Sequence, residues 1–353
     1  MRVLTIVGAR PQFVKASVVS RQLAECGIDE LVLHTGQHFD ENMSDIFFGQ
    51  LKIPRPTIQL EIRGRSHAQM TGQMLADIEA EIVEKKPELV LVYGDTNSTL
   101  AGALAAAKLH VPVAHVEAGL RSFNMAMPEE VNRILTDQIS QQLFCPTQTA
   151  IDNLHDEGFN KKKVDMFLVG DVMYDASLYF AEMASPPDGV MVTSPFILAT
   201  AHRAENTEDA TRLSNIVAAL NHVHQSIAPI IMPIHPRTRN AIAEFGLAPV
   251  FEIIEPVGYL EMIWLQQQAS LIMTDSGGVQ KEAFFFNTSC LTLRDETEWT
   301  ELVSIGANQL VGADTQLIIS AAEEKIAQPA PENTSIYGSG DASVKIAEAL
   351  KSL

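Results

Sequence analysis

The chain has 353 residues, of which 46% are hydrophobic, and this length exceeds the roughly 250–300 residues at which a single core usually stops growing. Its formal net charge is -19 at pH 7, which disfavours general binding to nucleic-acid phosphates or to anionic membrane surfaces. We therefore expect two domains, no nucleic-acid partner and no membrane partner. An anionic ligand would need local basic side chains.

The 3 cysteines lie far apart and show no disulfide or metal-ligand spacing, so we expect reduced thiols. The sequence begins without a charged-then-apolar leader, and no apolar run approaches the ~18 residues of a membrane span. These features predict a cytoplasmic protein.

Short apolar runs alternate with helical patterns along the whole chain, which is typical of βαβ units and a mostly parallel sheet. The strands predicted in the first half are residues 3–7, 31–34, 89–93, 113–116, 143–145 and 166–169. Those predicted in the second half are residues 196–200, 230–234, 250–254, 271–274, 290–293 and 309–311. The pattern predicts an α/β protein made of two facing Rossmann-like, doubly wound domains.

The most linker-like stretch is Ser-Pro-Pro-Asp-Gly at residues 185–189, and a helical pattern that starts after Gly170 leads into it. We place the domain boundary at this glycine, which is also the candidate hinge, giving domains of residues 1–170 and 171–353. The last predicted helix, residues 342–350, could cross back to cover the first domain.

Residues 270–282 form an apolar run that opens into Ser276, Gly277 and Gly278. A strand that leads into a turn of small residues lets the backbone approach a ligand, and the next helix directs unpaired N–H groups at it. A diphosphate fits there, and Glu282, about one turn further on, could accept both hydroxyl protons of a ribose. UDP is therefore the first ligand to consider. The alternative is an ordinary turn with a serine cap.

Charged and polar side chains directly follow many of the predicted strands. Ligands of open α/β sheets bind outside the carboxyl ends of the strands, so we expect these side chains to line one cleft between the domains. They are Arg10, Lys15, Asp95, Glu117 and Arg121 in the first half, and His202, Arg203, His235, Arg237 and Arg294 in the second.

Arg10 and Lys15 at a helix start suit a phosphate or a departing diphosphate, and the alternative is a surface ion pair. Carboxylates gathered in a cleft could include a general acid or base, whereas each alone could equally be a cap or an ion-pair partner. The candidates are Asp95, Glu117 and the pair Glu129–Glu130. His202 could polarise a leaving group or serve only as a structural hydrogen-bonding residue. His38, His67, His110 and His115 are expected to be structural.

Six ordered motifs resemble those of the non-hydrolysing UDP-N-acetylglucosamine 2-epimerase family, and they extend over nearly the whole chain. They are Val-Gly-Ala-Arg-Pro-Gln at residues 7–12, Tyr-Gly-Asp-Thr at 93–96, His-Val-Glu-Ala-Gly-Leu-Arg at 115–121, Pro-Glu-Glu-Val-Asn-Arg at 128–133, His-Arg-Ala-Glu-Asn at 202–206 and Asp-Ser-Gly-Gly at 275–278. The resemblance implies a glycosyltransferase-B type fold, a homodimer and an isomerase without a redox cofactor or a metal.

The resemblance also implies residue roles for a reaction at C2 of a UDP-linked 2-acetamido sugar. The catalytic set would be Asp95, Glu117, Glu129 and His202, with acid and base not assigned individually. Arg10 and Lys15 would attend the phosphates. The second domain would bind UDP, with Ser276, Gly277, Gly278 and Glu282 at the diphosphate and ribose and the backbone around Val257 and Met262 at the uracil.

Three departures separate this sequence from the better-known members of the family. The segment before Pro-Glu-Glu is shorter, Trp299 replaces an arginine, and residues 37–43 read Gln-His-Phe-Asp-Glu-Asn-Met in place of Gln-His-Arg-Glu-Met, which puts in doubt the effector site of some members. With His235 to Arg239, these variants resemble the branch that epimerises UDP-2,3-diacetamido-2,3-dideoxy-D-glucuronate for surface polysaccharide (O-antigen) synthesis. Its C6 carboxylate and second acetamido group require a cation and amide partners. The candidates are Arg121, Asn124, Arg203 and Arg237.

Other functions stay open. The first alternative is an epimerase acting on UDP-N-acetylglucosamine itself. A hydrolysing epimerase is disfavoured because the printed sequence contains no fused kinase segment. A glycosyltransferase of the same fold is possible, since a fold does not fix a function. A nucleotide-sugar sensor is disfavoured because carboxylates near the sugar would weaken binding of an anionic ligand.

Overall fold

The structure is a computed structural model that describes residues 1–37, 56–60, 62, 66–190, 195–328 and 335–353. The chain divides into two compact units, Met1–Tyr179 with Ser335–Leu353 and Phe180–Thr334. Within the described ranges, every helix is too short or too polar to cross a membrane. The unusual motif at residues 38–43 lies outside the described residues.

The first unit contains a parallel sheet of seven strands. They are β1 (Arg2–Val7), β2 (Asp29–His34), β3 (Ile58–Gln59), β4 (Leu89–Tyr93), β5 (Val113–Val116), β6 (Gln142–Cys145) and β7 (Asp165–Leu168), in the spatial order β3-β2-β1-β4-β5-β6-β7. Every residue of β4 and β5 is buried, which is typical of parallel strands covered on both faces. The strand order reverses beside β1, so the crevice between β1 and β4 is the expected ligand position.

Among the described residues, α-helices follow most of these strands. They are α1 (Arg10–Glu25), α2 (His67–Lys85), α3 (Asn97–Lys108), α4 (Pro128–Ile139), α5 (Gln148–Asp156) and α6 (Val172–Ala181). Proline near the start of α1 and of α4 supplies a helical φ where no N–H partner is needed. The Thr96 hydroxyl caps α3 by accepting from the N–H of Thr99 at 3.3 Å. The turns that carry the motifs therefore end in fixed helix starts.

The second unit repeats this architecture with six parallel strands. They are β8 (Ile197–Thr200), β9 (Ile230–Pro233), β10 (Glu252–Ile254), β11 (Leu271–Thr274), β12 (Cys290–Thr292) and β13 (Asn308–Leu310), in the order β10-β9-β8-β11-β12-β13. Alternate residues of β8 enter different core clusters, Ile197 and Ala199 in one and Leu198 in the other. The sheet is therefore packed on both faces, and its order reverses between β8 and β11.

The helices of the second unit are α7 (Ala204–Thr207), α8 (Ala210–Ser226), α9 (Pro236–Glu244), α10 (Tyr259–Gln268), α11 (Gly277–Phe285), α12 (Thr300–Ser304) and α13 (Thr315–Ile326). The predicted fold class, an α/β protein with two Rossmann-like doubly wound sheets, is confirmed. All predicted strands are present, with ends that differ by at most about two residues. The two-residue edge strand β3 was not predicted.

The C-terminal helix α14 (Ala342–Lys351) belongs to the first unit and packs against α1. The carboxylate of Asp175 accepts the N–H groups of Ala342 and Ser343 at 3.1 and 2.7 Å, so it caps the start of α14. This contact ties α6 to the first unit, and the division falls inside α6, after Tyr179, rather than at residue 170. Gly170 has a φ of 96° and packs against the Tyr337 carbonyl. A hinge there stays a prediction.

Candidate active site

The loop after β5 holds Glu117 in a backbone conformation that few non-glycine residues adopt. Its φ is 69°, in the left-handed region, and the residue is 6% exposed. The N–H groups of Glu117 and Ala118 both donate to the Phe144 carbonyl of β6, each at 3.1 Å. Strained residues of this kind occur at functional sites, where the surrounding structure holds them in place. The strain supports a positioned functional carboxylate.

Lys15 of α1 forms an ion pair with Glu117, joining its Nζ to Oε2. The two side chains are 13% and 6% exposed, so loss of either partner would leave a largely buried charge. The sequence assigned Lys15 to the phosphates, whereas the structure places its ammonium group on a carboxylate. Arg10 is the first residue of α1, and its side chain lies outside the described part of the structure.

The turn after β4 brings Gly94 and Asp95 next to this ion pair. Gly94 has a φ of 62°, and its N–H donates to the Val116 carbonyl at 2.9 Å. A Cβ atom on Gly94 would lie 3.2 Å from Oε2 of Glu117 and 3.9 Å from Nζ of Lys15. The turn therefore needs glycine both for its backbone conformation and for the close approach.

The start of α4 separates the roles of two adjacent glutamates. Glu130 is 0% exposed, accepts the N–H groups of Ser122 and Phe123, and forms an ion pair with Arg133 at 3.0 Å. Glu129 is exposed. Glu130 therefore anchors the preceding loop, while Glu129 is accessible to a ligand, as its predicted catalytic role requires. The NH2 nitrogen of Arg133 forms an ion pair with Asp95, a partner that the sequence did not indicate.

Arg121, a predicted substrate contact, has a buried side chain that pairs with two carboxylates. Its side chain is 1% exposed, its NH1 donates to Asp137 at 2.8 Å, and its Nε and NH2 donate to Glu157 at 2.6 and 2.8 Å. Burial lowers the pKa of Arg121, but the bonds and charges of the two carboxylates outweigh this effect and raise it. These contacts favour a supporting role. Asn124 is exposed, and its Oδ1 accepts the N–H of Ala126 at 3.1 Å.

Gln12 joins two loops of the candidate site, a role that the sequence did not indicate. Its Oε1 accepts the N–H groups of Gly8 and Ala9 at 2.8 and 3.0 Å, and its Nε2 donates to the Tyr93 carbonyl at 2.7 Å. It therefore joins the loop after β1 to the end of β4. Its position directly after Pro11 at a helix start was the available signal.

In the second unit, the predicted diphosphate cradle, which is the turn Ser276-Gly277-Gly278, lies where β11 leads into α11. Ser276 is the N-cap, and Gly277 and Gly278 are the first residues of the helix. A Cβ on Gly278 would have no neighbouring atom within 4 Å, whereas one on Gly277 would meet the Glu298 carboxylate. The glycines therefore leave the helix N-terminus open to an anion on one side and let the backbone approach Glu298 on the other.

Asp275, which precedes the cradle, orders the loop after β8. Its buried carboxylate accepts the backbone N–H groups of His202 and Arg203 at 2.9 Å each and the Asn206 amide at 3.1 Å. His202 Nδ1 is 3.5 Å from Oδ1 of the same carboxylate, and the imidazole is 39% exposed. Asp275 was not among the predicted site residues, although its place at the end of a strand, directly before Ser-Gly-Gly, was a signal.

The loop after β9 packs beside His202. The rings of His202 and His235 are 5.5 Å apart, and Arg237 NH1 donates to the His202 carbonyl at 3.3 Å. His235 caps α9, with Nδ1 accepting the N–H of Arg237 at 3.2 Å. Partial burial and the nearby His202 and Arg237 lower the pKa of His235. The neutral imidazole is also the form that can accept this bond.

A cluster of Arg203, Arg294 and Glu298 lies beside the cradle. Arg294 donates to Glu298 at 2.8 Å, and Arg203 NH2 is 3.9 Å from the same carboxylate. The Arg203 side chain is 41% exposed, whereas that of Arg294 is 8% exposed. Burial raises the pKa of Glu298, but Arg294 and Arg203 more than offset this and lower it. Trp299 Nε1 donates to the Gly277 carbonyl at 2.9 Å, so this departure from the family pattern lies at the cradle.

The predicted ribose and uracil contacts lie around α10 and α11. Both oxygens of buried Glu282 accept hydrogen bonds, from Tyr259 at 3.1 Å and from Gln266 at 2.8 Å. Val257 and Met262 are half-buried against the core cluster on this face of the sheet. A ribose at Glu282 and a uracil at these two residues stay predictions. Across the described residues, no group of three His, Cys, Asp or Glu side chains could hold a metal ion.

A family model described as UDP-N-acetylglucosamine 2-epimerase matches residues 21–351. The chain belongs to this family. The UDP-2,3-diacetamido-2,3-dideoxy-D-glucuronate 2-epimerase of Pseudomonas aeruginosa is 59% identical to this 2-epimerase over 354 residues, covering 100% of both chains. The UDP-N-acetylglucosamine 2-epimerase of Methanocaldococcus jannaschii is 45% identical over 337 residues, covering 92% of each.

Solved structures of family members share the fold of this epimerase. The crystal structure of the M. jannaschii UDP-N-acetylglucosamine 2-epimerase in complex with UDP-N-acetylglucosamine and UDP matches with a TM-score of 0.88 and 42% identity, covering 100% of both chains. The Neisseria meningitidis enzyme bound to UDP-N-acetylglucosamine matches with a TM-score of 0.87 and 32% identity, again covering 100% of both. The predicted family and enzyme class, an isomerase, are confirmed.

Proposed function

We propose that this epimerase converts UDP-2,3-diacetamido-2,3-dideoxy-D-glucuronate into its D-mannuronate isomer. The observation that carries the proposal is the 59% identity to the P. aeruginosa enzyme of that name over the full length of both chains. The proposed product would serve surface polysaccharide synthesis.

The proposed reaction inverts C2 without an external oxidant or reductant. A base removes the C2 proton, and the bond between C1 and the UDP oxygen breaks with its electron pair leaving on UDP. The electrons of the former C2–H bond form a C1=C2 double bond, so a glycal remains beside UDP. The UDP oxygen then re-forms its bond to C1, and a proton is delivered to the opposite face of C2. Each proton transfer needs a group positioned within hydrogen-bond reach of C2.

We assign the proton transfers and the stabilisation of positive charge at C1 to a shared set of groups. It comprises Asp95, Glu117, Glu129 and His202. Glu117 and Asp95 each form an ion pair with a basic side chain, Lys15 and Arg133 respectively. A carboxylate can act as a base or stabilise positive charge developing at C1. Glu129 is exposed at the first turn of α4 and is available to complete the set.

The second unit would hold the UDP part of the substrate. The N-terminus of α11 offers backbone N–H groups to the diphosphate through Ser276, Gly277 and Gly278. Arg294 and the Glu298 carboxylate lie beside it. We assign Glu282 to the ribose. We also assign Arg10, which belongs to the first unit, to the phosphates.

The C6 carboxylate separates the proposed substrate from UDP-N-acetylglucosamine and requires a cation. Arg203 and Arg237 follow β8 and β9, and both of their side chains have access to solvent. Arg203 NH2 lies 3.9 Å from the Glu298 carboxylate, a distance beyond a direct hydrogen bond. Its guanidinium can therefore bind a ligand carboxylate without first breaking a close ion pair with Glu298.

The substrate assignment is tested with Arg203→Met and Arg237→Met, with Arg239→Met as the matched control. Arg239 lies on the same helix as Arg237 and pairs with exposed Glu255. Loss of a charge-assisted hydrogen bond of about 1.5–3 kcal/mol predicts a fall of roughly 10–100-fold in kcat/KM for the uronate from at least one of the two site variants. UDP-N-acetylglucosamine turnover, where measurable, should change less than about 3-fold. Equal losses on both sugars would refute the assignment.

UDP-N-acetylglucosamine is the second candidate substrate. The 42% identity and TM-score of 0.88 to a structure in complex with this sugar nucleotide support it. The same variants distinguish the two, because a neutral C6 hydroxymethyl group cannot form an ion pair with either arginine.

A homodimer is also part of the proposal. Light scattering during size-exclusion chromatography should give twice the chain mass of 38.6 kDa. A monomer that turns over substrate would contradict this part alone.

A further inference from the structure

His115, the third residue of β5, lies between two loops that carry candidate catalytic residues. It is 0% exposed. Its Nδ1 is 2.7 Å from Oδ1 of Asp137 on α4, and its Nε2 is 2.7 Å from the Gly94 carbonyl oxygen. The sequence indicated only a structural histidine. The contacts of its two ring nitrogens give it a more specific role.

Both partners of the ring are acceptors. A carbonyl oxygen cannot donate a hydrogen bond. Asp137 also acts as an acceptor, because its Oδ2 accepts the N–H of Gly119 at 3.1 Å and a guanidinium N–H of Arg121 at 2.8 Å. A neutral imidazole has one N–H and would turn a nitrogen lone pair toward an acceptor oxygen at 2.7 Å. As long as Asp137 is a carboxylate, only a ring with both nitrogens protonated satisfies the two contacts.

We infer that His115 is a buried imidazolium and a positioning residue that fixes the Gly94–Asp95 turn against Glu117. The positioning role rests on the proposed function, because that function assigns Asp95 and Glu117 to the reaction. Asp137 compensates the charge of the ring at 2.7 Å. Arg121 pairs with the same carboxylate and with exposed Glu157, so the group contains two cations and two anions.

The turn is held from both sides of Gly94. Its N–H donates to the Val116 carbonyl at 2.9 Å, and its carbonyl accepts from the His115 ring. Lys15 and Glu117 are the charged groups that face the turn from its other side. Without the ring N–H, the Gly94 carbonyl would lose its buried donor, and the peptide that leads to Asp95 would lose one of the hydrogen bonds that fix it. The His115 ring thus acts on the reaction only through the placement of the carboxylates.

The protonation state is tested on the unmodified enzyme by NMR with 15N-histidine labelling at about pH 7.5, well above the ordinary histidine pKa. Among the described residues, the buried histidines are His34 and His115. Burial lowers the pKa of His34 to about 4, so its ring should show one protonated and one bare nitrogen. His115 should show two protonated nitrogens, and His34→Gln distinguishes the two signals. A bare nitrogen on His115 would overturn the inference, whatever the activity of the enzyme.

The positioning role is tested by kinetics. His115→Leu removes both ring donors and should lower kcat by about 10–100-fold, with KM and the Kd of UDP within about 3-fold of the unmodified enzyme. Asp137→Asn should convert the ring to its neutral form in the NMR spectrum and lower kcat in parallel. A His115→Leu enzyme with kcat within about 2-fold of normal would overturn the positioning role. If His115 is doubly protonated but the unmodified enzyme epimerises neither sugar, the proposed function is wrong. The positioning role is then wrong as well, and only the protonation of His115 is supported.

Discussion

A methyl group at Gly94 should impair catalysis more than folding. Gly94→Ala forces alanine into a φ of 62°, which costs about 1–2 kcal/mol for an L-residue. Its Cβ would also lie 3.2 Å from Oε2 of Glu117, closer than ordinary van der Waals contact. Glu117 must therefore move by a few tenths of an ångström. Misplacement by about 1 Å can cost ~100-fold in rate, so we expect kcat to fall by about 10-fold.

Gly158→Ala is the matched control for this experiment. Gly158 lies in the same unit and has a φ of 80°, and a Cβ atom added to it would meet nothing within 4 Å. It therefore carries the same backbone cost without the contact. Urea unfolding should show both variants less stable by about 1–2 kcal/mol, whereas steady-state kinetics should show a normal kcat for Gly158→Ala only. Equal values of kcat in the two variants would refute the role of the Gly94 turn in placing Glu117.

Three further changes test other parts of the site. Lys15→Met should destabilise the protein by about 3 kcal/mol in urea unfolding, because it removes one partner of a largely buried ion pair, and adding Glu117→Gln should restore stability but not activity. Asp275→Ala removes the acceptor of three N–H groups and should cost about 3 kcal/mol or more, with lower activity; unchanged activity would argue against ordering of the loop after β8. The lowered pKa of His34, about 4, means that the unfolded chain binds more protons between about pH 6.5 and 4, so stability is lost as the pH falls through this window. His34→Gln should flatten that part of the stability–pH curve, and an unchanged slope would contradict the cause.

The sequence predicted most of the architecture because buried parallel strands appear as continuous apolar runs. The run at β4 was located to the residue, whereas β3 has only two residues and carries no periodic signal. The division inside α6 has no local sequence signal, because a contact between α6 and the C-terminal helix joins Asp175 to Ser343, residues that are far apart in the chain. A local sequence pattern cannot predict such a contact.

The candidate site was predictable in position but not in its pairings. Motif residues after strands can be located because the carboxyl ends of parallel strands meet at one edge of a sheet. The partner of Glu117 is Lys15, which is 102 positions away in the sequence, and neither side chain alone indicates the other. The choice between Glu129 and Glu130 depends on the rotation of α4, which fixes which adjacent residue is buried and which is exposed.

The most direct test of the central claim is proton NMR in D₂O with UDP-2,3-diacetamido-2,3-dideoxy-D-glucuronate, beside UDP-N-acetylglucosamine. The account predicts deuterium at C2 and a new anomeric signal of the manno isomer from the uronate, with UDP remaining attached at equilibrium. Turnover of the control sugar alone would contradict the proposed substrate. No exchange at C2 of either sugar would contradict the proposed reaction.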